Sequence, residues 1–302
     1  MPYVTTDDSV RLYYEEAGAG TPLIFVHEFA GDHRSWEPQV RYFARRYRCI
    51  VYSARGYPPS DVPETVAAYS QQRVWQDIAC LMDGLQLTQA HLVGLSMGAF
   101  ACLHFGLHHG TQGKASRALS LTLAGCGTGS HPAVYEAFKA QSKRLADDIQ
   151  AHGALHLADT YGMGPSRLQF KAKDPRGFAE FHQRLAEHSA LGSALTSRGY
   201  QGERPSLYDL TDQIARINVP TLVMTGDEDE PCLEPSLMLK RAIPTAVLAV
   251  LPGSGHAINI EEPQGFNQFL SEFLAQVEQG RDFARPTLTR PESIWGPAGD
   301  PR

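Results

Sequence analysis

The stretch HLVGLSMGAF, residues 91–100, constrains the fold of this chain more than any other part of its sequence. An apolar run typical of a buried strand ends at the turn GLSMG around Ser96, and a helical pattern begins at once. The G-x-S-x-G spacing in this context indicates a sharp turn, because small residues on both sides of the serine let strand and helix approach closely. The turn exposes the hydroxyl and directs the positive end of the helix towards it. Ser96 is therefore a candidate nucleophile.

Short β-type runs alternate with helical patterns through most of the chain, which predicts βαβ units and a largely parallel sheet. Several runs are almost purely apolar, as expected for strands that helices cover on both faces. The predicted strands are SVRLYYEE, PLIFVH, RCIVYS, AHLVGL, ALSLTLAG, PTLVMTG and AVLAVLPG. Helices are predicted from about Ser70 to Leu85, from just after Ser96, and from about Pro263 to Val277.

One region interrupts this alternation. From about Ser130 to Asp209, helical patterns such as PRGFAEFHQRLAEHSALGSAL occur without a convincing strand. We interpret residues 130–209 as a helical cap inserted into an α/β core made of residues 1–129 and 210–280, since such folds place their specificity in insertions at strand ends. Residues 281–302 are rich in Pro and Gly, which predicts an extended or disordered C-terminal tail with Ile294 and Trp295 as its candidate docking residues.

A serine hydroxyl is a poor nucleophile without a base and an acid that orients the base. His256 follows the last predicted strand, and the strand PTLVMTG ends at four consecutive acidic residues, 227–230. Serine, acid and histidine, each at a strand end, follow the chain order of α/β-hydrolases. On these motifs, nearly all of residues 3–278 resemble α/β-hydrolase-fold enzymes, in the branch with a helical cap between strands six and seven.

The resemblance implies an α/β fold with a mostly parallel eight-stranded sheet, helices on both faces and an inserted helical cap. The family spacing G-x-x-D implies that Asp229 orients His256, with Asp227 as the alternative, whose other expected role is to cap the loop. It also implies an oxyanion hole of two backbone N–H groups, those of Met97, just after the nucleophile, and of Phe29, in the third position of the family motif H-G-x-G.

The sequence departs from the family pattern in two loops. Where H-G-x-G is common the chain reads HEFA, with His27 as a structural histidine, and where D-x-R-G-x-G-x-S is common it reads SARGYPPS, so that Ser53 replaces an aspartate while Arg55 is kept. We predict that Glu28 pairs with Arg55 or with backbone amides, since buried charges are usually paired. The alternatives are that Glu28 enters the pocket as an acid, a base or a substrate contact, or faces solvent. Trp36 is expected to pack in the core, although it could also line the pocket.

Charge and cysteine content limit the partners and the compartment. The formal net charge is −6 and no long basic run occurs, which argues against binding to nucleic acid or to an anionic membrane. The first residues lack the pattern of a signal peptide, and five scattered cysteines without CxxC spacing indicate reduced thiols, so we expect a cytoplasmic protein. No cofactor or metal is predicted: the histidine pairs 104/108 and 152/156 have i,i+4 spacing, but we expect them to face solvent. A homo-oligomer is left open.

The resemblance implies a serine hydrolase that forms an acyl-enzyme, and we expect its substrate to be a small or medium carboxylic ester or lactone. Arginines of the cap region could receive a substrate carboxylate, although such residues are usually solvated: Arg144, Arg167, Arg184, Arg198 and Arg204. The alternatives are a carbon–carbon bond hydrolase of a ring-cleavage diketone, and a small-molecule receptor or cofactor-free perhydrolase. Haloalkane dehalogenases and epoxide hydrolases are disfavoured, because relatives of those types carry aspartate at the position of Ser96.

Overall fold

The structure, a computed structural model, describes residues 2–110 and 116–285. Eight strands form one sheet in the order β1-β2-β4-β3-β5-β6-β7-β8, in which β1, β2 and β4 pair antiparallel and the other neighbours pair parallel. The strands are β1 Tyr3–Thr5, β2 Arg11–Ala17, β3 Thr21–Val26, β4 Tyr47–Tyr52, β5 Ala90–Leu95, β6 Ala118–Ala124, β7 Thr221–Gly226 and β8 Ala246–Leu251. The predicted α/β fold with a mostly parallel eight-stranded sheet is confirmed.

Helices cover both faces of the sheet. They are α1 Glu37–Phe43, α2 Gln71–Gly84, α3 Met97–His109, α4 Tyr135–Asp159, α5 Leu168–Lys173, α6 Pro175–Ala186, α7 Ala190–Leu195, α8 Thr211–Ile214, α9 Glu230–Ala242, α10 Ile258–Glu261 and α11 Pro263–Glu278. Successive side chains of β3 alternate between the two cores: Ile24 packs in the cluster that contains α2 and α3, and Phe25 in the cluster that contains α1 and α11. This two-sided burial explains why the central strands are apolar throughout.

The predicted elements agree with the observed ones except at the edge of the sheet. Ser70 caps α2, since its Oγ accepts a hydrogen bond from Arg73 N at 3.2 Å, so the predicted start of that helix is right to one residue. The strand missing from the sequence prediction is β1, whose three residues pair only with β2. A segment this short carries too few residues to show a period of two.

All regular elements between β6 and β7 are helical: α4 to α8, three short 3₁₀ or π-helical turns, and no strand among these described residues. The long helix α4 is interrupted at Gly153, where φ is +86°. We refer to residues 125–220, between β6 and β7, as the cap segment. It contains the region predicted above to be a cap, whose limits at residues 130 and 209 remain predictions. Residues 286–302 of the predicted tail, with Ile294 and Trp295, lie outside the described residues. At the start of the tail, Phe283 packs on Phe273 with their ring centroids 5.4 Å apart.

The prediction that His104 faces solvent is wrong. Its side chain is buried in α3, a helix packed against α2 and the sheet, and burial lowers the pKa of His104 to about 3. His152 is exposed and lies 3.6 Å from Asp148, as expected for a surface position. All five cysteines are free thiols. None of the described helices combines the length and the apolar character needed to cross a bilayer.

Candidate active site

Ser96 lies at the sharp turn that the sequence predicts between β5 and α3. Its backbone has φ 54° and ψ −113°, a conformation that side-chain-bearing residues rarely adopt. The flanking glycines are required sterically: a Cβ on Gly94 would lie 2.3 Å from Gly98 O, and a Cβ on Gly98 would lie 2.1 Å from Val26 O. The close approach of β3, β5 and α3 therefore depends on these two glycines and holds Ser96 at the C-terminal edge of the sheet.

Asp229 and His256 form a buried hydrogen-bonded pair. Asp229 precedes α9 after β7, His256 lies in the loop after β8, and Asp229 Oδ2 accepts a hydrogen bond from His256 Nδ1 at 2.7 Å. With the proton on Nδ1, the other ring nitrogen, Nε2, is free to accept a proton. The alternative acid, Asp227, is exposed and accepts a hydrogen bond from Ser254 N at 3.0 Å, so it caps this loop.

Electrostatics within this pair favour a charged histidine. Burial alone would lower the pKa of His256, but the charge and the hydrogen bond of Asp229 outweigh it, and the pKa of His256 is raised above its usual 6.5. Burial would likewise raise the pKa of Asp229, whereas the His256 ring keeps it below its ordinary value. The pair is therefore suited to stabilise an imidazolium formed by proton transfer.

We predict that kcat/KM for an ester rises with pH through an inflection above pH 6.5, because the base must be neutral to accept a proton. Asp229→Asn removes the carboxylate that raises the pKa of His256, so it should move this inflection to lower pH and reduce kcat by about 10²- to 10⁴-fold. Asp227→Asn is the matched control and should leave the pH profile unchanged. An Asp229→Asn profile that coincides with the wild-type profile would contradict this assignment.

Hydrogen bonds to the carbonyl oxygen of Glu28, in the loop after β3, fix the direction of the Phe29 N–H. His27 Nε2 accepts a hydrogen bond from Ala54 N at 3.0 Å, which leaves Nδ1–H to donate to Glu28 O at 2.7 Å. Gly31 N donates to the same oxygen at 3.1 Å. Because the peptide unit is planar and trans, the Phe29 N–H points opposite to this anchored carbonyl. His27 is buried, and burial lowers its pKa, so it serves as a structural histidine.

The second candidate oxyanion donor is oriented in the same way. Ser96 O accepts a hydrogen bond from Phe100 N at 3.0 Å, so the N–H of Met97 in the same peptide unit points towards the helix N-terminus. Two tyrosines that the sequence analysis did not identify hold the adjoining carbonyls: Tyr57 OH donates to Phe29 O at 3.0 Å, and Tyr200 OH donates to Met97 O at 2.8 Å. Nothing in the local sequence marks these tyrosines, because their partners lie far away in the chain.

Ser96, Asp229, His256 and Phe29 line one cavity of about 330 Å³, together with residues of the segment between β6 and β7. Phe138 and Tyr161 contribute apolar walls. A second cavity of about 480 Å³ shares Phe138 with the first and extends between α4 and α9. The candidate nucleophile, the acid–base pair and a candidate oxyanion donor thus line one cavity, as a hydrolytic site requires.

The predicted pairing of Glu28 with Arg55 is wrong. Glu28 is buried and pairs with Arg167, also buried: Arg167 Nη1 donates to Glu28 Oε1 at 2.9 Å, and Nη2 donates to Oε2. Arg55 instead binds Asp77 of α2, at 2.6 and 2.7 Å, and Asp8, at 2.8 Å. The two groups diverge because the Glu28 side chain extends towards the cap segment, whereas Arg55 extends towards α2 and the turn before β2.

The two remaining positions of these loops have structural contacts. Ser53, which replaces the family aspartate, lies with its Oγ 2.9 Å from His33 Nδ1. Trp36 is buried on the α11 side of the sheet, with ring centroids 5.1 Å from Phe25 and 5.9 Å from Phe266, and it does not line the cavity. Its predicted place in the core is where the structure puts it.

One group of potential metal ligands occurs in the part of the chain that the structure describes: Asp229, Cys232 and His256. Asp229 and His256 already bind each other through Oδ2 and Nδ1. Cys232 Sγ donates to Gly125 O at 3.3 Å, and burial raises the pKa of its thiol well above the usual value. Since a metal binds the thiolate, this donor set is better suited to a hydrogen-bonded acid–base pair than to a metal ion.

Comparison with known proteins agrees with the observed fold. Residues 21–263 match the family model described as the alpha/beta hydrolase fold. The 3-oxoadipate enol-lactonase 1 of Acinetobacter baylyi is 27% identical over 85% of this chain and 89% of its own, and a putative non-heme chloroperoxidase of Synechocystis sp. is 27% identical over 91% and 100%. The structure of a thermophilic esterase from Thermogutta terrifontis, determined with malate bound, superposes with a TM-score of 0.78 and 26% identity over 91% of this chain and 98% of that one.

Proposed function

The chain belongs to the α/β-hydrolase fold family and is a hydrolase, and on that premise we propose that it is a serine hydrolase acting on a small or medium carboxylic ester or lactone. The observation that carries the proposal is the buried Asp229–His256 pair, 2.7 Å apart, which opens into the same cavity as Ser96 at its strained turn. Similarity to an enol-lactonase and to an esterase supports the same class of bond.

The mechanism follows from the roles of these groups. Ser96 Oγ attacks the substrate carbonyl carbon while His256 Nε2 takes the hydroxyl proton, and Asp229 stabilises the resulting imidazolium. The N–H groups of Phe29 and Met97 bind the oxyanion of the tetrahedral intermediate. His256 then protonates the leaving alcohol oxygen, which gives the acyl-enzyme. Water, deprotonated by His256, attacks the acyl carbon and releases the acid, or the hydroxy acid where the substrate is a lactone.

A fluorophosphonate probe tests this proposal, because it forms a covalent phosphonyl adduct only with an activated serine. We expect mass spectrometry of peptide digests to locate one adduct on Ser96, with Ser96→Ala as the unlabelled control. His256→Ala should slow labelling strongly, since it removes the base. Labelling that is absent, or that falls on another serine at the same rate in both variants, would refute the serine mechanism.

A second candidate is perhydrolysis, which the similarity to a putative non-heme chloroperoxidase favours. In this reaction hydrogen peroxide replaces water as the group that attacks the acyl-enzyme, and the product is a peracid instead of an acid. Peracid formation from acetic acid and hydrogen peroxide, lost in Ser96→Ala, would support it. Ester hydrolysis without peracid formation would restrict the activity to hydrolysis.

The proposal includes a small-molecule substrate as the partner and no bound nucleic acid or membrane, which the net charge of −6 supports. A cytoplasmic location belongs to the same proposal, and the five free cysteines support it.

A further inference from the structure

Arg204 occupies an unusual position for an arginine. Its side chain is buried, with 4% of the residue exposed, and its guanidinium carbon lies 3.8 Å from the ring centroid of Phe100 and 4.9 Å from that of Phe138. Phe100 follows Ser96 by one turn of α3. Arg204 Nη2 donates a hydrogen bond to Thr128 O at 2.6 Å. The cation is thus stacked between two aromatic rings close to the candidate nucleophile.

No carboxylate lies within ion-pair distance of Arg204 among residues 2–110 and 116–285, and its Nη1 is a buried atom without a hydrogen-bond partner there. Three other arginines of the cap region differ. Arg167 pairs with Glu28, Arg198 binds Asp147 at 2.5 Å, and Arg144 is exposed. Burying a charge without a counter-charge is costly, so the neighbouring protein groups do not by themselves explain why this arginine is buried.

The pKa of Arg204 differs in direction from the pKa of the arginines that pair with carboxylates. Burial lowers the pKa of Arg204, whereas carboxylates outweigh burial and raise the pKa of Arg55 and of Arg167. An anion brought next to Arg204 would therefore meet a cation whose charge no protein carboxylate has neutralised.

Arg204 lines the 330 Å³ cavity together with Ser96 and His256. Asp229 is the one carboxylate among the lining residues, and its charge is engaged by His256. Gln201 also lines the cavity and has a buried Oε1 without a partner in the described chain. The cavity therefore contains one positive charge without a carboxylate partner, in a lining that combines aromatic rings with serine, threonine and glutamine side chains.

We propose that Arg204 determines specificity by binding a carboxylate of the substrate, so that the preferred substrates are esters or lactones that carry a free carboxylate in addition to the bond that is cleaved. This inference rests on the proposed serine hydrolase function. The planar guanidinium, held by its two stacking rings and by Thr128 O, is pre-organised to donate to a carboxylate oxygen. The carboxylate can belong to the acyl part or to the alcohol part of the substrate.

Two matched pairs of esters test the proposal and distinguish these two parts. The first pair is mono-4-nitrophenyl glutarate and its neutral methyl ester, and the second is 4-carboxyphenyl pentanoate and its neutral methyl ester. Arg204→Met should lower kcat/KM by about 10- to 100-fold for the charged member of at least one pair, mainly through KM, because a charge-assisted hydrogen bond is lost. The neutral members should change by less than about threefold. Arg198→Met, which removes an equal charge at a half-buried, paired position that does not line the cavity, should behave as wild type.

Equal loss for charged and neutral esters, or no loss for either, would overturn the proposal. A structural role for Arg204 predicts a lower melting temperature in Arg204→Met, whereas removal of an unpaired buried charge should leave the melting temperature unchanged or raise it. Arg204→Lys provides a second variant if the methionine variant is insoluble. It keeps the charge but not the planar fork, so its loss for the charged esters should be intermediate.

Direct binding separates failure of this inference from failure of the proposed function. Glutarate, the acid product of the first ester, should raise the melting temperature of the wild type and of Ser96→Ala but not of Arg204→Met. If no ester is cleaved and Ser96 is not labelled by the fluorophosphonate, the hydrolase proposal fails while glutarate binding still reports on Arg204. If esters are cleaved, glutarate stabilises wild type and Arg204→Met alike, and Arg204→Met cleaves 4-carboxyphenyl pentanoate as well as wild type does, the hydrolase proposal stands and the role of Arg204 is refuted.

Discussion

Ser96→Ala is expected to lower kcat for a 4-nitrophenyl ester by at least about 10⁴-fold, because the acyl-enzyme can no longer form. Alanine keeps the Cβ and meets the same backbone strain at φ 54°, so the melting temperature should stay close to that of wild type. Residual turnover would come from the oxyanion donors and from substrate binding alone. Steady-state kinetics together with thermal unfolding of both proteins measure the two quantities separately.

Ser236→Ala is the matched control for this experiment. Ser236 is a buried serine of α9 whose Oγ has no hydrogen-bond partner in the described part of the chain, so its removal should change neither kcat nor the melting temperature appreciably. A Ser96→Ala protein that retains more than about one hundredth of wild-type kcat would contradict the nucleophile assignment. The two variants therefore separate the effect of losing a hydroxyl in the candidate site from the effect of losing a buried hydroxyl elsewhere.

Arg167→Met is expected to destabilise the protein by about 3–5 kcal/mol, because it leaves the carboxylate of Glu28 buried without a partner. Glu28→Gln should have a similar effect by leaving Arg167 unpaired. The double variant Glu28→Gln with Arg167→Met contains neither charge, so it should lose much less than the sum of the two single variants. Urea unfolding of the four proteins gives this coupling free energy directly.

The free energy of unfolding of these variants should depend on pH in a direction that follows from the pKa of Glu28. In the wild type, burial would raise the pKa of Glu28, but Arg167 outweighs it and the pKa is lowered, so the stability contributed by this pair is lost as pH falls below about 4.5. In Arg167→Met the largest contribution that lowers this pKa is lost, so burial, which raises the pKa of Glu28, is expected to dominate. The destabilisation of Arg167→Met relative to wild type should therefore be largest near pH 7 and shrink towards pH 4.5. A difference independent of pH would contradict a role for Glu28 as the partner.

Turnover of the double variant distinguishes two roles for Glu28. The Phe29 N–H is oriented by contacts of His27 and Gly31 with the Glu28 backbone carbonyl, and these contacts do not involve the Glu28 side chain. We therefore expect a folded double variant to keep kcat within about tenfold of wild type. A loss of about 10³-fold in a folded double variant would instead indicate that the Glu28 carboxylate acts in the pocket.

The sequence by itself determined the features that depend on local geometry. The turn at Ser96 could be recognised because strand, glycines, serine and helix are contiguous, and the steric need for Gly94 and Gly98 in the structure is the reason for that spacing. The same holds for most strands, for the cap of α2 at Ser70, and for the order of Ser96, Asp229 and His256 along the chain. The choice of Asp229 over Asp227 came from the family spacing, and the structure brings Asp229 to 2.7 Å from His256.

Only the tertiary structure decided which charges meet and which remain alone. Glu28 and Arg167 are 139 residues apart, so no local pattern could link them, and the nearer Arg55 was the wrong partner. Arg204 is one of six arginines among residues 130–209, and no sequence feature sets it apart. Its burial, its two stacking rings and its lack of a carboxylate partner in the described chain arise from packing of the cap segment on α3. The energy of a charge depends on the groups and the solvent around it in space, and chain order does not specify these surroundings.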